Sequence, residues 1–296
     1  MSTITEYEMA KTMARLGGAG MIHRFLSIPA EEEIVRKLKW DNISPIIASI
    51  GILDEDRERA HSLVDAGVNI LLIDVAHAHS EQTIEQLKYI KGKHNVDVIV
   101  GNVATGTAVE DLIAAGADAI RVGIGGGSRC TTRTVTGHGI PNLTSLLEAV
   151  EARNAYFDAT KIYIPIIIDG GIKNSGDIVK ALYFGADVAS LGYLLAGTDE
   201  TPGELVKNGD GIFKKYYGMA SKEAQAEKGS IKKGIAPEGF SELVPYQGPV
   251  ESIIENLVGG IRSGLSYSGA NDIKRLREIG EPILLTSAGQ AESKIN

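Results

Sequence analysis

Three stretches of this chain share one grammar: DAGVNILLID (65–74), AAGADAIRVG (114–123) and YFGADVASLG (183–192). In each, a helical stretch runs into a glycine, the chain turns, and an apolar run follows. Glycine suits the left-handed residue that stops a helix. A helix feeding straight into an apolar strand, repeated about every 25 residues, predicts a (β/α)8 barrel, an α/β TIM barrel.

The rest of the chain fits that period. Strands are expected at 20–24, 45–50, 69–76, 97–103, 119–124, 163–170 and 188–194. Helices are expected at 6–16, 31–38, 54–66, 80–91, 108–115, 143–154 and 175–184. The strands lack period-two alternation, as strands covered on both faces do. A doubly wound sheet would carry its glycine fingerprint after the first strand; here the glycines cluster after the fifth and sixth. The pattern yields seven strands, so a first strand lies outside this sequence or the fold closes another way. Seven strands alone would expose an edge that closure removes. After residue 200 the rhythm stops. The polar run at 221–242 reads as a flap over the barrel, and 251–280 returns to helical patterning. No linker divides the chain, so 1–296 reads as a single catalytic domain.

Composition narrows the function classes. The chain has 296 residues, 43% hydrophobic and 23% charged, as a globular protein with a large core has. A formal net charge of −8 weighs against a nucleic-acid surface. The longest apolar runs, such as YIPIII (163–168), are strand-sized, so neither a membrane span nor a signal peptide is expected. One cysteine excludes an internal disulfide and points to a reducing compartment, by default the cytoplasm.

That cysteine, Cys130, stands in GIGGGSRCTTR (123–133). Glycines make poor core and good loop. A cysteine at the C-terminal end of a barrel strand sits where barrel enzymes keep their sites. Arg129 and Arg133 beside it favour a nucleophilic thiolate. Asp169 in IIIDGGI (166–172) ends the next strand, and its two glycines let a ligand approach the backbone, which suits a sugar hydroxyl or a phosphate. LGYLLAG (191–197) strengthens the phosphate reading, and Ser128 joins it as a donor. Asp74 in IDVAHAHS (73–80) suits a ribose hydroxyl, whereas His77 and His79 alone are weak grounds for a metal. Glu238, in the flap, reaches Thr132 if the flap folds over the pocket.

GIGGGSRCTTRTVTGHGIPN, IIIDGGI, LGYLLAG, YYGMAS and PEG…VPYQGPV…VGGIRSGLSYSGA, in that order, resemble the IMP dehydrogenase / GMP reductase family. The resemblance implies a TIM barrel, a homotetramer, and chemistry at C2 of a purine mononucleotide with NADP or NAD. It implies Cys130 as the nucleophile, with Thr132 and Glu238 as a proton relay. Ser128, Asp169, Gly171, Gly192, Tyr216, Gly218 and Met219 match nucleotide-binding positions, and Asp74 and Gly123 match positions near the nicotinamide. The carbonyls of Gly125, Gly127 and Cys130 match a monovalent-cation (K+) site, completed by a tail such as that around Glu292. The CBS pair common in dehydrogenases would sit between VRKLKW and ISPII, where this chain has only Asp41 and Asn42.

Two reactions share the cysteine adduct. A GMP reductase converts GMP and NADPH to IMP, ammonia and NADP; an IMP dehydrogenase converts IMP, NAD and water to XMP and NADH. Dehydrogenases carry an arginine–tyrosine pair in the flap, and between Met219 and Glu238 this chain has neither residue type. That favours the reductase. TEYEMAKTMARLGGAGMIHRFLSI (5–28), IDVAHAHS, the AGQAES tail, and Ile235 and Pro237 in place of polar residues pull toward the dehydrogenase. Tyr193 stands where dehydrogenases use serine for phosphate. A non-catalytic purine-nucleotide-binding barrel and a flavin-binding barrel are the remaining readings.

Overall fold

A computed structural model describes residues 1–209, 211–218, 221–227 and 236–292. Seven strands form one parallel sheet in sequence order: β1 (Met21–Ile22), β2 (Ile47–Ile50), β3 (Ile70–Asp74), β4 (Asp97–Val103), β5 (Ala119–Val122), β6 (Ile166–Asp169) and β7 (Val188–Ser190). Between them run α1 (Tyr7–Arg15, before β1), α2 (Ile28–Trp40), α3 (Asp54–Ala66), α4 (Glu81–Lys93), α5 (Gly106–Ala114), α6 (Thr132–Thr136), α7 (Asn142–Thr160) and α8 (Ser175–Tyr183). The fold is the expected TIM-barrel architecture with one strand fewer than eight.

The repeated grammar has a common geometry. Gly67, Gly116 and Gly185 all stand at positive φ, 99°, 101° and 104°. The next residue in each case closes the helix end: Val68, Ala117 and Ala186 donate to the carbonyls of Leu63, Leu112 and Ala181. The residue after that ties the unit to the strand before it. The backbone N–H of Asn69, Asp118 and Asp187 reaches the carbonyl of Ile46, Val98 and Ile166. Their side-chain oxygens accept from the N–H of those same three residues at 2.8, 2.7 and 2.9 Å. Glycine thus ends the helix, and the Asn or Asp two positions on fixes the neighbouring strand.

Both faces of the sheet are covered. Residues such as Ala48, Leu71, Ile73, Val98, Val100, Ile120 and Ile166 pack outward against Leu38, Leu63, Leu87 and Leu112 of the helices. Ile47, Leu72, Ile99, Ala119 and Ile167 form the inner cluster. Within the outer layer lies a buried ionic group. Glu31 of α2 is fully buried beside Arg59 and Asp56 of α3. Burial outweighs the Arg59 guanidinium and pushes the Glu31 carboxyl up to about 8.

Among the described residues no strand joins β1 to β7. The gap is spanned by side-chain packing: Ile4 and Met9 near the N-terminus meet Leu195, Ala196, Tyr216, Val244 and Val250. Three of those belong to elements beyond the barrel rhythm. An antiparallel sheet of β8 (Val206–Asn208), β9 (Gly211–Tyr217) and β10 (Ser241–Pro245) follows β7, and α9 (Lys222–Glu227) lies in the connection between its last two strands. The chain ends in α10 (Val250–Tyr267), which packs on α8, then α11 (Ile273–Ile279) and α12 (Ser287–Glu292). The expected flap at 221–242 is therefore a short helix and the start of β10, with 228–235 outside the described residues.

Candidate active site

The C-terminal ends of the sheet strands carry the expected residues. The loop after β5 brings Cys130 to the surface as an exposed free thiol. Its Sγ lies 2.9 Å from Thr132 Oγ1, at the start of α6. Thr132 Oγ1 donates to Glu238 Oε2 at 2.6 Å. The backbone enforces this chain of three. Cys130 forms a β-bridge with Gly239, and the Thr131 N–H donates to the Glu238 carbonyl at 3.0 Å. The segment before β10 thus lies along the cysteine loop, and three residues spread over 108 positions converge on one line of proton-carrying groups. Neither flanking arginine bonds the sulfur: Arg133 donates to the Ile140 carbonyl and Arg129 to Glu242.

The loop packs on the DGG turn after β6. A Cβ on Gly123, at φ 136°, would stand 2.2 Å from the Asp169 carbonyl oxygen. Only glycine allows β5 to leave the sheet that close to the end of β6. The Asn142 side chain at the head of α7 donates to the Gly170 carbonyl at 2.5 Å and lies against Gly126 and Gly171. It joins the two glycine loops.

Asp74 and Asp169 are connected through residues that sequence reading did not select. Asn102, on β4, donates to the Gly123 carbonyl at 2.6 Å and to Asp169 Oδ2 at 2.9 Å. Arg121, inside β5, donates from Nε to Asn102 Oδ1 at 2.6 Å and from a terminal nitrogen to Asp74. Burial opposes the Asp74 charge, but Arg121 and Arg24 outweigh it and hold the carboxyl below the usual range. A signal for Arg121 was present: it is the one charged residue in the run AIRVGI. Asn102 in DVIVGNV carried a weaker signal of the same kind.

The remaining predicted positions gather at the far side of the cysteine. Burial holds the Tyr216 hydroxyl above the ordinary tyrosine range, with Ser128 nearby acting in the opposite direction. A Cβ on Gly192 would lie 3.8 Å from the Tyr216 hydroxyl, and one on Gly218 would lie 3.7 Å from the Arg129 carbonyl. Met1 packs on this face, its sulfur 3.9 Å from Tyr216 Oη. Met219 and Ile235 lie outside the described residues. Gly125 stands at φ 78°, and the Gly127 carbonyl accepts the Cys130 N–H at 3.1 Å, so the two peptides share one tight turn. Glu292 is exposed at the end of α12. His79 meets Asp111 at 2.8 Å, and no cluster of three His, Cys, Asp or Glu suited to a metal occurs among the described residues.

Residues 1–296 match the family model described as "IMP dehydrogenase / GMP reductase domain". The chain is 42% identical to an inosine-5'-monophosphate dehydrogenase of Aquifex aeolicus, over 90% of this chain and 56% of that protein. It is 38% identical to the inosine-5'-monophosphate dehydrogenase of Cryptosporidium parvum, over 100% and 84%. It is 43% identical to a GMP reductase of Leishmania major, over 83% and 51%. The chain therefore spans about half the length of two of these relatives and most of the third.

Proposed function

The chain belongs to the IMP dehydrogenase / GMP reductase family, and from that premise we propose that it is a purine ribonucleotide oxidoreductase working at C2 of the base through a covalent bond to Cys130. The observation that carries the proposal is the Cys130–Thr132–Glu238 chain, with successive contacts of 2.9 and 2.6 Å. The Cys130 sulfur adds to C2, an electron-poor carbon between two ring nitrogens. Thr132 relays the proton that must move as the adduct forms and collapses, and Glu238 holds it. Asp169 accepts from the ribose hydroxyls. Ser128, Gly171, Gly192, Tyr216 and Gly218 hold the nucleotide, a role that the YYGMAS resemblance extends to Met219, while Asp74 and Gly123 serve the nicotinamide. A nicotinamide cofactor, NADP or NAD, supplies or accepts the hydride at C2.

The second half of the reaction divides the two activities. In the reductive direction ammonia leaves C2 of GMP, hydride arrives, and the thiolate departs from IMP. In the oxidative direction hydride leaves C2 of IMP, and water displaces the sulfur to give XMP. Hydrolysis needs a base for the water, and general-base help is worth about 10²–10⁴-fold. The stretch from Met219 to Glu238 holds no arginine or tyrosine, which favours the reductase. The Aquifex and Cryptosporidium relatives carry the other name, which supports the dehydrogenase as the second reading. The family resemblance supplies the carbonyls of Gly125, Gly127 and Cys130 as K+ ligands; in this turn the Gly127 carbonyl accepts the Cys130 N–H. Three oxygens leave the rest of the coordination to a tail, and a homotetramer would provide one.

The test follows absorbance of the reduced nicotinamide with GMP plus NADPH, and separately with IMP plus NAD⁺. Consumption in the first, lost in Cys130→Ala, supports the reductase; production in the second supports the dehydrogenase. Binding of nucleotide with neither change would leave a non-catalytic barrel.

A further inference from the structure

Arg129 lies between the proposed nucleophile and the proposed phosphate side, and neither role absorbs it. Its guanidinium stacks over the Tyr193 ring at 4.4 Å from the centroid and approaches the Phe240 ring at 5.4 Å. Tyr193 in turn meets Tyr216 edge to face, with centroids 5.3 Å apart. Glu242 of β10 takes the Nε hydrogen at 2.5 Å. One terminal nitrogen donates to the Ser128 carbonyl and the other to the Tyr193 hydroxyl, both at 3.0 Å.

A guanidinium has five N–H donors in a fixed fork. Among the described residues three are used, and each terminal nitrogen keeps one. The two aromatic rings and Glu242 fix the plane of the group, so the remaining donors are held rather than free to rotate. Such an edge matches two oxygens of one phosphate. It borders a surface already rich in neutral donors: the Ser128 hydroxyl, the Tyr193 and Tyr216 hydroxyls, and the backbone near Gly192. Arg129 is partly exposed, its side chain retaining 21% of its accessible surface, so a ligand can reach it. The Glu242 hydrogen bond outweighs burial and holds the guanidinium above its ordinary value.

We propose that Arg129, carried on a tyrosine–arginine–phenylalanine stack, is a specificity-determining residue that holds the 5′-phosphate of the substrate as a dianion, with the Tyr193 hydroxyl as its partner. The inference rests on the purine-nucleotide reading of the same site. It adds that this chain selects its substrate at the phosphate end by charge, and so discriminates strongly against unphosphorylated nucleosides. Glu242 is a positioning residue: it presents the terminal edge of Arg129 without touching the ligand.

The experiment measures binding by calorimetry for GMP, IMP, guanosine, inosine and ribose 5-phosphate, in the wild type and in Arg129→Gln, Arg129→Lys and Tyr193→Phe. Arg129→Gln is expected to weaken both nucleotides tenfold or more while leaving both nucleosides within twofold. Arg129→Lys is expected to recover part of the loss, because it keeps the charge but not the fork. Tyr193→Phe is expected to weaken nucleotides about threefold. Equal loss of nucleotide and nucleoside in Arg129→Gln would mean that Arg129 only braces the loop, and would overturn the proposal. Unchanged nucleotide binding would overturn it too. Ribose 5-phosphate separates the two claims: if the wild type binds it through Arg129 but binds no purine, the phosphate role stands and the purine reading fails. If Arg129→Gln does not fold, the Arg129→Lys and Tyr193→Phe ratios of nucleotide to nucleoside affinity decide the matter.

Discussion

Cys130 is exposed and, among the described residues, has the Thr132 hydroxyl within hydrogen-bond reach, which leans on Glu238. If that line carries protons, Thr132→Val lowers turnover by about 10²–10⁴-fold while nucleotide affinity changes little; steady-state kinetics with separate kcat and KM check it. The residue scale also holds a group that the proposed chemistry does not use. Glu31 has a folded-state value of about 8 against an ordinary 4.5. A carboxyl raised on folding binds more protons in the native than in the unfolded chain between those two values, so stability is greatest below about 4.5 and declines as pH rises toward 8. Thermal unfolding of Glu31→Gln at pH 5 and pH 8 is expected to show a smaller pH dependence than the wild type, with the variant gaining relative to it at pH 8. Asp74 has the opposite sign. Its carboxyl is held low, so its contribution is complete above the usual carboxylate range and disappears as pH falls below it. Cys130 and Asp169 could be picked out as candidates from residue type and placement at strand ends, whereas Glu238 was picked out only through the expected flap and the family resemblance. Asn102 and Asn142 were not, because a single asparagine at a strand end or helix start is ordinary turn chemistry. What they do depends on which loops meet, and the order of residues along the chain does not show that.

At the scale of the element, the three glycine turns explain why the barrel rhythm was readable. Gly67, Gly116 and Gly185 share one backbone geometry and one set of hydrogen bonds. Gly116 isolates the backbone effect, since the nearest atom to a Cβ there would be Lys91 Cγ at 3.7 Å. Gly116→Ala is expected to destabilise by about 1–2 kcal/mol through the left-handed conformation alone, measured by urea unfolding. Asp118 tests the strand clamp. Asp118→Ala leaves the Val98 N–H without its acceptor and is expected to lose about 1–3 kcal/mol. Asp118→Asn keeps an acceptor oxygen and loses less. The helices and strands of the first 200 residues were legible because apolar runs and their stops recur. The β8–β10 sheet was not. Val206–Asn208 is exposed throughout, its partner β9 mixes lysines with aromatics, and β10 lies in a stretch whose polar character reads as loop. Tyr216 of β9 and Val244 of β10 are buried against Leu195, Ile4 and Val250, a tertiary contact that local pattern does not show.

For the molecule as a whole, seven parallel strands and a hairpin sheet place the cysteine loop, the DGG turn and the segment before β10 at one mouth. Among the described residues no strand joins β1 to β7, and side chains from the N-terminal residues pack across the gap in place of a hydrogen-bonded strand. No helix among the described residues is long and apolar enough to cross a membrane. The central claim is that this mouth forms a bond between the Cys130 sulfur and C2 of a purine nucleotide. Acid-quenched protein from a running reaction, analysed by intact-mass and peptide mass spectrometry, tests that bond directly. The account predicts a mass increase of one purine nucleotide on the peptide containing Cys130, absent from Cys130→Ser, which is also inactive. Turnover that persists in Cys130→Ser, with no nucleotide attached to the wild-type peptide, would contradict it.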